Sequence, residues 1–288
     1  MKGKNNVKFF VILGVLGVSL SSILVKFSTA PSMILAFYRM GISTLLLCPV
    51  VWANERNTLR LLKIKAVIPC MVSGIFLAFH FTLYFESVKF TSIASSTVLV
   101  DIEVFFVVII AAYLYKEKLS KQGIIGILIT FTGSVIVALG DKSSGSNMIY
   151  GDMLAILGAM AMSVYTLIGK GQRKHLSTIM YTFIVYFSAT VTLVVVALIT
   201  NTKMFGYSKE NLWIGLGLAV FCTLLGHSVF SWGLRYVKAA FISTVKLLEP
   251  VFATILAFFL FGQIPNWFEV IGGTVIISGL CLLGRNRE

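Results

Sequence analysis

Charge is scarce in this sequence: Asp, Glu, Lys and Arg make up only 12% of its 288 residues, about half the share usual in a soluble domain. Such a chain cannot cover itself with a water-soluble surface. Cysteine is equally sparse. Cys48, Cys70, Cys222 and Cys281 stand singly, without a Cys-x-x-Cys pair, which excludes a disulfide framework and a zinc site and leaves them as small packing residues. There is no Gly-x4-Gly-Lys-Ser/Thr loop for direct use of ATP and no His-Glu-x-x-His. Nor does any serine have a base at a fixed spacing. A hydrolase or lipid-modifying enzyme needs a placed nucleophile or metal set, so no enzyme, no metal and no cofactor is expected.

What is present is hydrophobic. Apolar residues make up 58% of the chain and the mean hydropathy is +0.94. A helix of about 20 apolar residues crosses the hydrocarbon core. Ten such runs follow one another, at 8–26, 33–52, 66–86, 91–114, 121–140, 151–169, 178–200, 211–234, 240–261 and 267–284. The sequence therefore predicts an all-α integral membrane protein with ten transmembrane helices. The N-terminal run has the look of a signal peptide, but the repeat described next makes it a retained helix.

The net charge of +13 is no nucleic-acid footprint. Seventeen basic residues, from Lys2 through Arg56, Lys118 and Arg173 to Arg287, flank alternate ends of the spans, against five, Lys26, Lys89, Lys142, Lys203 and Lys209, at the others. By the positive-inside rule both termini are cytoplasmic, and the expected location is the cell membrane.

The chain also repeats itself. Residues 87–134 align with 233–280 at an offset of 146, so that Lys89 meets Arg235, Glu103 meets Glu249 and Gly133 meets Gly279. Earlier, Ile12-Leu13-Gly14 matches Ile156-Leu157-Gly158 and Lys26 faces Lys170. Two five-helix repeats, 1–145 and 146–288, are predicted, joined at the polar Asp141–Asn147 segment. Five being odd, the second repeat enters the membrane inverted, an arrangement many secondary transporters use. Gly123, Gly126 and Gly133 on the fifth run, and Gly272, Gly273 and Gly279 on the tenth, suit close helix contact.

The paired segments HFTLYFESVKFTSIASSTVLVDIEVFF (80–106) and HSVFSWGLRYVKAAFISTVKLLEPVFATILAFFLFGQ (227–263) resemble the two copies of the pattern found in the drug/metabolite transporter superfamily, in its EamA-type ten-helix branch. The resemblance implies ten helices around a central cavity, alternating access, and export of amino acids or other small metabolites across a bacterial-type cytoplasmic membrane. The first copy has Val104 where the second has Pro250. The proline that could break the ninth span thus has no counterpart in the fourth.

An ionisable group in hydrocarbon costs about 2.5–3.5 kcal/mol or more, and it faces a partner or a wet cavity. Lys246 and Glu249 share a helix face and can form an internal ion pair; alternatively, Glu249 beside Pro250 binds a substrate ammonium or a proton. Glu103 and Glu249 are the central candidates for substrate binding or coupling. Asp101, two residues from Glu103 and about 200° around a continuous helix, points elsewhere and either pairs with Arg39 or handles substrate or a proton. His80 and His227 either couple protons or pack. Tyr84 and Trp232 either stack on a substrate or pack.

The expected activity is secondary transport of small organic metabolites, amino acids or similar zwitterions, driven by proton exchange or by the substrate gradient. Its partners are then a small-molecule substrate and the bilayer, without nucleic acid, and the protein is a monomer or homodimer. The alternatives are a lipophilic-cation or multidrug exporter and, from a different class, a membrane enzyme acting on a lipid-soluble substrate.

Overall fold

A computed structural model describes residues 2–140, 146–262 and 264–284. Of the expected junction of the repeats, Asp141–Asn147, residues 141–145 lie outside them. Among the described residues ten helices are long and apolar enough to cross a membrane: α1 (Asn6–Phe27), α2 (Ser32–Asn54), α3 (Ile64–Phe90), α4 (Ile93–Leu114), α5 (Lys121–Leu139), α6 (Met148–Gln172), α7 (Thr178–Ile199), α8 (Lys209–Gly233), α9 (Ala239–Leu260) and α10 (Trp267–Gly284). Their starts follow from local chemistry. Ser92, Ser120, Asn147 and Ser177 cap α4, α5, α6 and α7 by accepting a hydrogen bond from a first-turn backbone N–H, which satisfies a donor the helix cannot. At α10, Asn266 and Glu269 bond each other's backbone N–H at 3.0 and 2.7 Å, a reciprocal cap. At the end of α9, Gly262 takes up φ 66°, the left-handed stop that suits glycine.

Packing partners come in pairs related by the exchange of repeats. Helix α3 lies on α6 as α8 lies on α1; α4 lies on α6 as α9 lies on α1; α3 lies on α7 as α8 lies on α2. The pairs α2–α7, α4–α9 and α5–α10 map onto themselves. This is the pattern of two repeats exchanged by a pseudo-twofold axis, and with five spans in each the second half is inverted.

Glycine sets the α5–α10 contact. A Cβ at Gly133 would lie 2.7 Å from the Gly272 carbonyl, and one at Gly279 would lie 2.4 Å from Thr130 Oγ1. The backbones are as close as hydrogen side chains permit, which is how helices gain dispersion contacts in lipid. Gly273, also in the predicted stripe, faces away, its added Cβ meeting only Val251 at 3.6 Å.

The sequence predicts a proline break in α9 alone, yet both α4 and α9 are interrupted, and in register. Helix α4 consists of Ile93–Asp101 and Glu103–Leu114; α9 consists of Ala239–Lys246 followed by a segment beginning at Glu249. Phe105 N–H bonds Ile102 O at 3.0 Å, while Leu247 and Leu248 bond Thr244 and Val245 at 3.1 and 3.0 Å. These are three-residue turns in place of four. Packing at the α4–α9 crossing, rather than proline, is common to both.

The two faces of the bundle differ. On the face carrying the basic loops, Val7, Val11, Val107, Ala111, Val237 and Ile242 close a dry cluster. Across it Glu117 pairs with Lys170 at 3.2 Å and accepts the Ala239 N–H at 3.1 Å, while Lys170 also donates to Val237 O at 2.6 Å. Tyr115 donates to Leu167 O at 2.6 Å; burial, then the Glu117 carboxylate, pushes its hydroxyl up from the ordinary value, which keeps it a neutral donor. On the far face Asn211 ties α8 to the α1–α2 loop through Ser28 and the Thr29 and Ala30 N–H groups, but a cavity of about 900 Å³ opens among α1, α4, α5, α9 and α10.

Gly133→Leu should lower the unfolding temperature in detergent by several degrees, since overpacking costs about 1–3 kcal/mol. Gly273→Ala should leave it unchanged or raise it, because alanine is the better helix former by about 1 kcal/mol. Glu117→Gln should speed amide exchange at Val237–Phe241 and leave α5 and α10 protected. Equal exchange in both proteins would remove Glu117 from the closure of the basic face.

Candidate functional site

The charged residues of the bundle converge at mid-membrane. A small cavity of about 40 Å³ is lined by Arg39 of α2, His80 and Tyr84 of α3, Asp101 and Glu103 of α4, His227 of α8, and Lys246 and Glu249 of α9. It has room for a water or two. Glu249 and Thr97 line both this cavity and the large one open to the far face, so the charged cluster forms the floor of the open cavity.

Each side chain is placed by its helix. The α4 interruption at Ile102 brings Asp101 and Glu103 to the same centre, because a three-residue turn sets residues two apart about 120° from each other instead of about 160°. Asp101 therefore does not point elsewhere, as a continuous helix would require. Arg39, only 1% exposed, stacks its guanidinium 3.8 Å from the centre of the Phe81 ring and donates to Thr223 Oγ1 at 2.7 Å and Ser21 Oγ at 3.2 Å. Thr223 sits in a widened π-helical stretch of α8, Leu218–His227, and its hydroxyl donates to Leu218 O at 3.1 Å. That bond leaves a lone pair directed at Arg39, a local use of wide helical turns at a polar centre.

The pairing differs from the expectation in two respects. Lys246 forms its ion pair with Glu103 across the helix crossing, not with Glu249 on its own helix. Arg39 and Asp101 line one cavity but form no ion pair with each other or, among the described residues, with any other group. Arg39 Nη2, Asp101 Oδ2 and His227 Nδ1 are buried without a hydrogen-bond partner, against the rule for polar atoms in protein interiors.

The two histidines, one position out of register in the repeat alignment, meet in space, their ring centres 6.5 Å apart. His80 Nδ1 lies 3.0 Å from Gly158 O; a carbonyl only accepts, so that nitrogen carries the hydrogen of the neutral ring and Nε2 is left as an acceptor. Its ring stacks on Tyr84, one turn later, at 6.1 Å and 6°. Trp232 does not line the cavity. It packs on Phe10 and Tyr236, with ring centres 6.1 and 5.3 Å away, because five residues past His227 is more than a helical turn.

Sequence reasoning missed the hydroxyl layer around this centre. Tyr165 meets Ser231 and Tyr186 meets Ser228, both at 2.9 Å, which joins α6 and α7 to α8. Ser228 and Ser231, three apart in an otherwise apolar run, were the available signal.

The chain matches a family model twice, over residues 7–139 and 149–285, and the model describes the EamA-like transporter family. An uncharacterized transporter of Archaeoglobus fulgidus is 26% identical over 255 residues, 86% of each chain. The pseudopaline exporter CntI of Pseudomonas aeruginosa is 22% identical over 261 residues, covering 91% of this chain and 89% of that one. A solved crystal structure superimposes with a TM-score of 0.76 over 98% of this chain and 97% of its own, at 16% identity, which is a likeness of fold. The chain belongs to the EamA-like transporter family and is a multi-pass membrane protein.

Proposed function

We propose that the protein is a secondary transporter that exports small organic metabolites, amino acids or similar zwitterions, across the cytoplasmic membrane by alternating access, with its basic face and both termini cytoplasmic. The path runs through one chain, so a monomer suffices. The observation that carries this reading is the charge balance at the cavity floor. Glu103, Asp101, Lys246 and Arg39 are all nearly inaccessible, two carboxylates against two cations. Glu249, half-buried at the mouth, is one carboxylate too many. While the far face is open, water in the large cavity solvates it.

When that face closes, an ionised Glu249 would be sealed in with the excess charge, at a cost of several kcal/mol. A proton on Glu249 removes it. The groups facing it include Lys246 on its own helix, Asp101 and Glu103 on α4, Arg39 on α2, Tyr84 and His80 on α3 and His227 on α8; none adds a further cation while the histidines are neutral. The name of the Pseudomonas relative, an exporter of pseudopaline, agrees with outward movement.

A second reading, export of lipophilic cations, draws on the apolar wall of the large cavity, with Phe27, Ile93, Val98, Pro250, Trp267 and Phe268 beside Glu249. Purified protein in liposomes separates the two. Counterflow of a labelled amino acid, saturable and unaffected by tetraphenylphosphonium, is the expected result; flux of the phosphonium alone would favour the second reading.

Because closure needs a neutral Glu249, amino-acid counterflow by the unmodified protein should fall as pH rises on both sides of the membrane. Glu249→Gln should hold its rate at high pH, the curve flattening. A variant that keeps both the rate and the pH curve of the unmodified protein would remove Glu249 from the mechanism.

A further inference from the structure

The geometry points to Arg39 and Asp101 as a bipolar head-group site, Arg39 taking the carboxylate and Asp101 the ammonium of an amino-acid ligand; this rests on the transport reading above and names the chemistry by which the substrate is selected. Two opposite charges in one low-dielectric cavity attract strongly. Here, however, they stand apart. Arg39 is held away by Thr223, Ser21 and the Phe81 face, and these contacts use two of its nitrogens while Nη2 remains unpartnered. Asp101 keeps Oδ2 unpartnered in the same cavity. Lys246, which would otherwise neutralise Asp101, is committed to Glu103.

A zwitterion fits this arrangement because it brings one charge of each sign and leaves the balance of the four deep groups unchanged. An amine or lipophilic cation would satisfy Asp101 and leave the guanidinium unpaired; a simple carboxylate would do the reverse. Arg39 thus separates amino acids from cations of the same shape. Its planar fork suits a carboxylate, and the stacked Phe81 ring keeps that fork in one plane. With about 40 Å³ between them, the two groups close on a head group only after the walls part, and the interruptions at Ile102 and Leu247–Leu248 lie beside them.

The test uses full-length protein in liposomes with counterflow of labelled alanine, leucine and phenylalanine, inhibited by each parent amino acid, its methyl ester and its deaminated acid. In the unmodified protein the zwitterion should inhibit at least about 30-fold better than either analogue, the scale of leaving one buried charge unpaired. Arg39→Gln should bring the ester within about threefold of the amino acid, and Asp101→Asn should do the same for the deaminated acid. If Arg39→Gln does not fold, Arg39→Lys, which keeps the charge and loses the fork, should narrow the ester ratio part of the way. Counterflow in which the ester competes as well as the amino acid, or ratios unmoved in these variants, would overturn the head-group site and leave the carrier intact. Absence of amino-acid counterflow alongside phosphonium flux would overturn both.

Discussion

The Glu103–Lys246 ion pair is the contact on which the centre of this protein depends. It joins α4 to α9 at the level where both are interrupted. In hydrocarbon neither charge has water to fall back on, so the pair holds the crossing in one register. It also takes Lys246 from Asp101 and Glu249, which line the same cavity, and in that way turns a structural contact into a site.

The second determinant is asymmetry between repeats that share a fold. On the basic face Glu117 and Lys170 close the bundle. Their counterparts in the repeat alignment are Gln263 and Lys26, which cannot form an ion pair. Among the described residues the far face, where Lys26 lines the large cavity, has no equivalent ion pair. A fold whose halves are interchangeable by symmetry acquires a preferred side through such single substitutions, and a carrier needs both sides to differ by only a few kcal/mol.

Much of the fold was legible because the bilayer imposes one rule on every span. Ten runs of sufficient length and the glycine stripes of α5 and α10 could be read directly, and the offset that pairs Glu103 with Glu249 also marked the two crossing helices. The centre was less legible. A helical wheel placed Asp101 away from Glu103, since nothing in Val-Asp-Ile-Glu-Val announces a three-residue turn; the interruption arises from packing between helices 146 positions apart. Partner choice failed for a related reason: Lys246 is close to Glu249 in sequence but closer to Glu103 across the crossing, and Arg39 finds a phenylalanine face and hydroxyls that no linear pattern marks. Of the two readings left open for Trp232, stacking on a substrate or packing, the structure shows packing, on Phe10 and Tyr236.

The claim that one buried pair organises the centre is tested most directly by a double-mutant cycle on Glu103 and Lys246, read as thermal unfolding of the purified protein in detergent. Glu103→Leu and Lys246→Met should each be strongly destabilising, on the order of 3–5 kcal/mol, because each leaves an uncompensated buried charge, whereas the double variant should recover most of the loss. Additive losses in the double variant would contradict the account.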